Sequence, residues 1–358
     1  MNLNWKGSFK FELEDRQVLA LDIGSSSVKI VQMDKRNGRH TVTAAGIAEI
    51  AASEDNNNDK EINTIRAIGE CLESTGIRTR MAVCGVSGPE VAVRYFKFPS
   101  LPLKEIEGAI LLEAAQVCPF NVDDGAVDYQ LIPNDENNVA GTLVAATNKL
   151  IKNKTQLVEN ASLNCVLMDV DGLALLNCLS EYEKPKHGRT TAVLNVGDSF
   201  TTLAIMSDNA LPFIRDIAYA GNAIAEQIAS ENNVSTESIK KILRKESQGL
   251  SDNSSTTQTE VQDGLEEACR RLIIDVTETL RYYAAQEKSA IIEKIFVCGG
   301  FSLVKGFVEL LDKELDATTV LWNPFDKIRC DAGRLCKDTL ARKGPAMAVA
   351  AGLAMRSI

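Results

Sequence analysis

Short apolar runs alternate with tight turns along residues 18–50, which predicts three consecutive β-strands. A hairpin turn is expected at Arg36-Asn37-Gly38, because Asn-Gly suits the positive φ angles of two-residue turns. A helix is expected next, since apolar residues then recur at helical spacing. These residues are Ile62, Ile65, Ile68 and Leu72, and Gly76 closes the segment. Another strand, MAVCGVSG, follows at residues 81–88.

Residues 91–164 have a pattern of their own, in which the apolar period indicates strand, helix, strand, strand and helix. The segments are VAVRYFKF, LKEIEGAILLEAAQV, AVDYQLI, TLVAAT and KLIKNKTQLVENA. We expect a small α+β subdomain, inserted into the first half of the chain. Strand CVLMDV and helix GLALLNCLSEY then lead to the polar break KPKHGR, which predicts a boundary between two lobes.

After this break the chain repeats its opening pattern. The segment DIGSSSVKIVQM, which begins at Asp22, aligns with NVGDSFTTLAIM, which begins at Asn195. Both read as a strand, a turn of glycine and small hydroxyl residues, and a second strand. A long helix is expected from about Gly264 to Gln286, followed by strand KIFVCGG, a helix, strand TVLW and the helix GPAMAVAAGLAMR. The repeat predicts an α/β fold with two related lobes.

Composition limits the possible functions. The chain has 358 residues, 45% of them hydrophobic, so we expect a large core and more than one domain. The net charge of -10 leaves no broad basic surface, which argues against nucleic acid as a partner. Nine cysteines without a CxxC pair favour reduced thiols in a cytoplasmic protein. No run approaches the ~20 apolar residues of a membrane span, and residues 1–17 read as a polar leader.

The hairpin turns carry the candidate chemistry. Glycine and small hydroxyl residues leave backbone N–H groups open, and a concave row of such donors binds anionic oxygens. Two hairpins that face each other would hold a polyphosphate from both sides. Lys29 would supply a fixed positive charge, unless it is a solvated strand residue. Asp22 suits a magnesium ion held mostly through water, or else it accepts hydrogen bonds from turn amides.

A third motif, VCGGFSLVKGF at residues 297–307, reads as a strand, two glycines and a helix start, where a flat ring could approach the backbone. In the order DIGSSSVK, NVGDSFTT and CGGFSLVKG, the motifs resemble the two phosphate loops and the adenosine motif of the actin-like ATPase superfamily. Further segments resemble one family within it, the PilM proteins of type IV pilus assembly. These are EIEGAILLEAAQVCPFNVDDGAVDYQLI, LNCVLMDVDGLALLNCL, VLWNPFDKI and GPAMAVAAGLAMR.

The resemblance implies an actin-like ATPase fold, in which duplicated ribonuclease H-like lobes enclose a nucleotide, with an inserted α+β subdomain 1C as in FtsA. The implied divisions are a leader at 1–17, subdomain 1A at 18–90, 1C at 91–163, a return to 1A at 164–184, 2A at 185–218, 2B at 219–291, a return to 2A at 292–340, and a helix packed on 1A at 341–358.

The resemblance also implies residues that bind ATP and Mg²⁺. Asp22 would hold Mg²⁺ through water. Asp171, with Asp169 as second candidate, would position the attacking water, although Asp171 also suits a helix N-cap. The phosphate-binding residues would be Gly24, Ser25, Ser26, Ser27 and Lys29 in the first loop, and Asn195, Gly197, Asp198, Ser199 and Thr201 in the second. The adenosine-binding residues would be Gly299, Gly300, Ser302 and Lys305, with Asn222 and Glu226 as weaker candidates.

Asn195 departs from the superfamily pattern, which usually has aspartate there. An amide can bind a metal-bound water only weakly and cannot accept a proton, so we expect ATP binding with slow or absent hydrolysis.

The implied partner is the cytoplasmic N-terminal tail of a PilN-like inner-membrane protein, docked between 1A and 1C near residues 91–120. PilO-like components and further copies of the chain are additional candidate partners. The protein would serve a type IV pilus or a related type II secretion complex, and would lie at the inner membrane only through these partners. The alternative is a filament-forming cell-division or cytoskeletal ATPase similar to FtsA.

Overall fold

The structure is a computed structural model, and it describes residues 17–36, 38–52, 57–132, 138–182, 190–206, 211–247, 256–286 and 292–356. The strands are β1 Leu19–Ile23, β2 Ser27–Arg36, β3 Arg39–Glu49, β4 Met81–Val86, β5 Val91–Pro99, β6 Gly125–Ile132, β7 Asn138–Thr147, β8 Asn164–Val170, β9 Thr190–Val196, β10 Thr201–Met206, β11 Pro212–Ile217, β12 Ile292–Cys298, β13 Thr318–Leu321 and β14 Arg329–Cys330.

The α-helices are α1 Asn57–Thr75, α2 Leu103–Val117, α3 Asn148–Asn160, α4 Asp171–Tyr182, α5 Gly221–Asn232, α6 Thr236–Ser247, α7 Thr256–Gln286, α8 Phe307–Glu314, α9 Arg334–Lys343 and α10 Ala348–Ala354. Short 3-10 helices cover Val122–Asp124, Gly300–Leu303, Pro324–Asp326 and Gly344–Met347.

Two large sheets share one strand order, and each forms the centre of a lobe. The first runs β14-β3-β2-β1-β4-β8 and the second β11-β10-β9-β12-β13. In both, an antiparallel meander of three strands is extended by two parallel strands on the side of the first strand. Strand β14 adds one parallel strand at the edge of the first sheet. The duplicated α/β fold expected from the sequence is therefore confirmed.

A third, smaller sheet has the antiparallel order β5-β7-β6. Helix α2 covers one face, where Phe96, Ile110 and Leu143 form a small core. On the other face, Val93 packs with residues of both lobes, including Leu176 and Ile214. The chain enters this unit from β4 and returns through α3 to β8, in the predicted order of strand, helix, strand, strand and helix.

Apolar clusters fill both lobes. The second lobe buries Leu194, Leu203 and Val297 of its sheet beneath α5, α7 and α8. In the first lobe, the short helix α10 is buried along nearly its whole length and packs against α4, β1 and β2. Its alanines and its glycine allow this close approach, since a β-carbon at Gly352 would overlap the backbone of Ala174.

The long helix differs from its sequence prediction, because α7 begins at Thr256 rather than near Gly264. The residues between Thr256 and Gly264 contain neither proline nor a second glycine, and a single glycine inside a helix costs only about 1 kcal/mol.

The leader at 1–16 and the lobe boundary at KPKHGR lie outside the described residues. The subdomain boundaries stay predictions.

Candidate functional site

A cleft of about 840 Å³ lies between the lobes, at the ends of the strands that carry the repeated hairpins. Both hairpin turns line it, together with the turn after β12. Further walls come from α1, α3 and α6. All three sequence motifs therefore face one cavity.

The first hairpin places a carboxylate opposite an ammonium group. In the pairing of β1 with β2, Asp22 lies directly across from Lys29, and Lys29 Nζ is 3.3 Å from Asp22 Oδ2. Each side chain is 12% exposed. The turn closes with a hydrogen bond of 3.1 Å from Gly24 N–H to the Ser27 carbonyl. A β-carbon at Gly24 would lie 3.0 Å from Lys29 Nζ, so a larger residue would crowd this lysine.

The second hairpin has the same backbone but different side chains. Asn195 pairs with Thr202 across β9 and β10, and Gly197 N–H donates to the Phe200 carbonyl at 3.1 Å. The side chain of Asp198 accepts a hydrogen bond of 2.9 Å from the amide of Asn222. Asn222 N–H also donates to the Asp198 carbonyl, so the start of α5 holds this turn.

The two turns touch each other across the cleft. Ser199 Oγ donates a hydrogen bond of 2.9 Å to Ser25 Oγ. A second link lies deeper, where Asp216 of β11 accepts from Gly88 N–H in the first lobe and from Thr202 Oγ1 in the second, each at 2.6 Å. Hydroxyls and one shared carboxylate therefore join the lobes at the site.

The turn after β12 requires glycine. Gly299 has a φ of 93°, and a β-carbon there would overlap the Val196 carbonyl. Gly299 N–H donates to the Pro345 carbonyl at 2.9 Å, which ties this turn to the segment before α10. Gly300 and Phe301 line the cleft beside it, and Phe301 packs edge-on against Phe307. The turn thus presents open backbone and an aromatic ring to the cleft.

Asp171, at the start of α4, is a buried carboxyl at the end of the cleft where the first loop lies. Its Oδ2 accepts a hydrogen bond of 2.7 Å from Ser87 Oγ, whereas its buried Oδ1 has no hydrogen-bond partner. Burial, and then the negative charge of Asp22, raise the pKa of Asp171 to about 7. Asp171 can therefore exchange a proton near neutral pH.

Asp169, the second candidate for this role, does not line the cleft. Its Oδ2 lies 2.9 Å from Arg356 Nε, so an ion pair holds this carboxylate instead. Burial raises the pKa of Asp169, and the guanidinium opposes that shift.

Most predicted site residues share the cleft. These are Asp22, Gly24, Ser25, Ser26, Ser27, Lys29, Asp171, Asn195, Gly197, Asp198, Ser199, Gly299 and Gly300. Others do not line it, namely Thr201, Asn222, Glu226, Ser302 and Lys305. Thr201 and Ser302 are buried and donate to the carbonyls of Tyr219 and Gly299, at 2.8 Å and 2.7 Å.

Several cleft residues escaped the sequence analysis. They are Ser87, Lys154, Thr202, Gly221, Lys240, Arg244, Phe301 and Lys343. Lys154 comes from α3, and Lys240 and Arg244 come from α6. Thr202 lies within the second hairpin motif, and Phe301 lies within the motif at the turn after β12.

The small sheet and its helix expose apolar side chains. On α2, Leu111 and Leu112 are 47% and 68% exposed. Tyr95, Tyr129 and Leu131 are exposed on the strands.

Within the part of the chain that the structure describes, no three His, Cys, Asp or Glu side chains are grouped as metal ligands. None of the described helices combines the length and apolar character needed to cross a membrane.

Solved structures share this architecture. The structure titled "PilM-PilN type IV pilus biogenesis complex" matches with a TM-score of 0.78 and 24% identity, covering 95% of this chain and 98% of that one. The ethanolamine utilization protein EutJ from Carboxydothermus hydrogenoformans matches with a TM-score of 0.55 and 12% identity, over 95% and 89% of the two chains. A glycerol dehydratase reactivase matches with a TM-score of 0.53 and 11% identity, covering 94% of this chain and 99% of that one. The predicted actin-like fold is confirmed.

A family model described as type IV pilus assembly protein PilM matches residues 20–358, which include both lobes and the inserted subdomain. The hairpins, the glycine turn and the small sheet all lie within that match, and so the chain belongs to the PilM family.

Proposed function

We propose that the protein is a pilus-assembly scaffold whose cleft binds ATP with Mg²⁺ and whose small subdomain binds the tail of a PilN-like membrane protein. The observation that carries the nucleotide part is the pair of hairpins with one register, facing each other across one cleft and in contact through Ser25 and Ser199. Turns of this kind bind phosphate through backbone N–H groups and hydroxyls. Two of them suit a chain of phosphates better than a single anion.

The donors in the cleft fit magnesium. Asp22 and Asp171 offer carboxylate oxygens, and Asn195 offers an amide oxygen. Mg²⁺ prefers such oxygen ligands and usually keeps several waters, so one or two carboxylates are enough. The buried Oδ1 of Asp171 still lacks a partner. Bound Mg²⁺ would neutralise phosphate charge, and Asp22 would hold it through water.

The adenosine would lie at the opposite end of the cleft. There Gly300 and Phe301 line the cleft with Lys240 and Arg244 of α6, and the open backbone at Gly300 would let a flat ring approach closely. The aliphatic stem of Lys240 can cover the ring while its charged end stays in water. This arrangement supports a nucleoside end in the second lobe.

Hydrolysis should be slow in this arrangement. Asp171, with a pKa raised to about 7, is suited to orient a water and accept its proton. The second loop supplies no charge at Asn195, so metal and water are held from one side only. We infer that the nucleotide mainly sets how the lobes close, and that turnover is secondary.

The tail of a PilN-like protein would dock on the small subdomain. Support comes from the exposed apolar residues on α2 and the neighbouring strands, because clustered exposed apolar side chains mark binding surfaces. An extended peptide could use the open edge of β6 as well. Through this partner, and through PilO-like components, the protein would lie at the inner membrane. Type II secretion complexes remain a related setting for the same role.

Calorimetric titration of the full chain with ATP in Mg²⁺ tests the nucleotide part. We expect saturable binding of one ATP per chain. Absence of binding at millimolar ATP would contradict the proposal.

A synthetic PilN-like tail peptide tests the partner. We expect the double substitution Leu111→Asp and Leu112→Asp to abolish its binding, because two charges would enter the apolar contact. Leu335→Asp on α9 is the matched control, since Leu335 is 85% exposed and lies outside the small subdomain. Equal loss in both variants, or in neither, would rule out this docking surface.

A further inference from the structure

Lys154 lies in the cleft beside the first phosphate loop, although it belongs to a distant helix. Its Nζ donates a hydrogen bond of 2.9 Å to the carbonyl of Ile23, the residue between Asp22 and Gly24. It lines the cleft with Asn153 and Leu157 of the same helix. An ammonium group has three donors, so the bond to Ile23 leaves two for a ligand.

The charge of Lys154 acts at the end of the cleft where Asp22 and Asp171 lie. It is among the charges that lower the pKa of Asp171, against the larger effect of burial. The other lysine of this end, Lys29, forms an ion pair with Asp22. An anion entering here would therefore meet the positive charge of Lys154 beside the first hairpin turn.

The start of α3, the helix that carries Lys154, is tied to the small sheet, whereas Val158 near its end packs in the core of the first lobe. Thr147 is both the last residue of β7 and the N-cap of α3, where its hydroxyl accepts from Leu150 N–H at 3.2 Å. Thr147 also donates to Glu90, through its hydroxyl at 2.8 Å and through its N–H at 3.1 Å, just before β5. Lys154 follows two helical turns later, about 10 Å along the axis. A shift of the sheet would therefore act on the start of this helix.

We propose that Lys154 binds the terminal phosphate of the nucleotide and that the small subdomain sets its position. This inference rests on the proposed function, since it adds a residue to the same nucleotide site. Helix α3 thereby connects the sheet that would bind a peptide to the phosphate end of the cleft. Coupling between two such sites is reciprocal, so a bound peptide and a bound ATP would each change the affinity for the other.

Nucleotide titrations with matched variants test the role of Lys154. The variants are Lys154→Met, Lys154→Arg and, as control, Lys152→Met, which changes an exposed lysine on the same helix. Affinities for ATP and for ADP are measured in Mg²⁺ on the full chain. Lys154→Met removes a charge-assisted hydrogen bond to the terminal phosphate. It should therefore lower the affinity for ATP by about tenfold or more, and the affinity for ADP by less than about threefold.

The arginine variant should keep most of the preference for ATP, and Lys152→Met should change neither affinity. Equal weakening of ATP and ADP by Lys154→Met would mean that Lys154 acts only through Ile23, and would overturn the inference. So would an unchanged affinity for both. If the unmodified chain binds neither nucleotide, the proposed function fails first, and the inference fails with it.

Discussion

The two hairpins of the cleft have the same backbone and different electrostatics. In each, a glycine N–H closes the turn on a carbonyl three residues later, at 3.1 Å in both. The cross-strand pair behind the turn is Asp22 with Lys29 in the first lobe and Asn195 with Thr202 in the second. A duplicated unit has kept its turn geometry while one copy carries an ion pair and the other a neutral pair.

This difference between the cross-strand pairs gives the two lobes different roles at the cleft. The first hairpin would offer charge to the proposed nucleotide and its metal. The second uses its cross-strand partner for structure, because Thr202 donates to Asp216, which also binds Gly88 of the other lobe. If the cleft binds a nucleotide as proposed, we expect binding strength mainly from the first lobe and closure mainly from the second.

The largest effect is expected from giving the first hairpin the chemistry of the second. Asp22→Asn removes the carboxylate that would hold Mg²⁺ and leaves Lys29 without its ion-pair partner. Affinity for ATP in Mg²⁺ should fall about 100-fold, or about 3 kcal/mol. In EDTA it should change little, because no metal is bound. Asp128→Asn on exposed β6 serves as control. A loss of the same size in EDTA would refute the metal role of Asp22.

The second prediction uses pH to separate the lobes. The pKa of Asp171 is raised to about 7, so the folded protein holds this proton more tightly than the unfolded chain does. Stability should therefore be highest below the ordinary aspartate pKa and fall as the pH rises toward 7. The second hairpin has the neutral Asn195 at the position of Asp22, and this amide lies next to the Cys298 thiol, whose pKa is raised by burial.

Asp171→Asn should remove this pH dependence, which we expect to amount to about 2 to 3 kcal/mol in the free energy of unfolding between pH 5 and pH 8. Urea unfolding at pH 5 and pH 8 measures it, with Asp128→Asn again as control. If the stability difference between the Asn variant and the unmodified chain is the same at both pH values, the carboxyl does not titrate as described.

A smaller effect is expected from giving the second hairpin the charge of the first. Asn195→Asp restores a carboxylate opposite Asp22, so steady-state hydrolysis in Mg²⁺ should rise about tenfold. The same substitution places a charge beside the buried Cys298, which should lower the stability of the fold. Rapid turnover in the unmodified chain, unchanged by Asn195→Asp, would contradict the explanation of slow hydrolysis.

The smallest effect concerns the contact between the turns. Ser25→Ala and Ser199→Ala each remove one partner of the same hydrogen bond. A double-mutant cycle on the free energy of unfolding should give a coupling of about 0.5 kcal/mol, because the hydroxyls are partly exposed and water can replace either one. A coupling near zero would show that the turns do not touch in solution.

The sequence predicted the hairpins well because a turn is a local structure. Glycine and hydroxyl residues between apolar runs determine the register, which brings Asp22 opposite Lys29 without help from the rest of the chain. The duplicated sheet followed from the repeat of that hairpin. The choice between Asp169 and Asp171 did not follow, since it depends on Arg356 and on the packing of α10 near the end of β8.

Most of the cleft residues that the sequence did not predict have no local signal. Helix α3 carries lysines at 149, 152 and 154, and only the fold determines that Lys154 reaches Ile23 while the other two are exposed. Asn222 shows the opposite case, because a residue expected near the adenosine is held by Asp198 instead. Long-range contacts determine the positions of both Lys154 and Asn222, and the pattern of a single sequence does not contain such contacts.

The position of α10 has a consequence for folding during synthesis. The second lobe is built from one stretch of chain between β9 and β13, whereas the core of the first lobe includes Val349 and Leu353 together with Ala20 and Val83. Domains generally fold as units when their residues have left the ribosome. The lobe that is translated first is therefore completed last, and the second lobe can serve as a folded surface on which it closes.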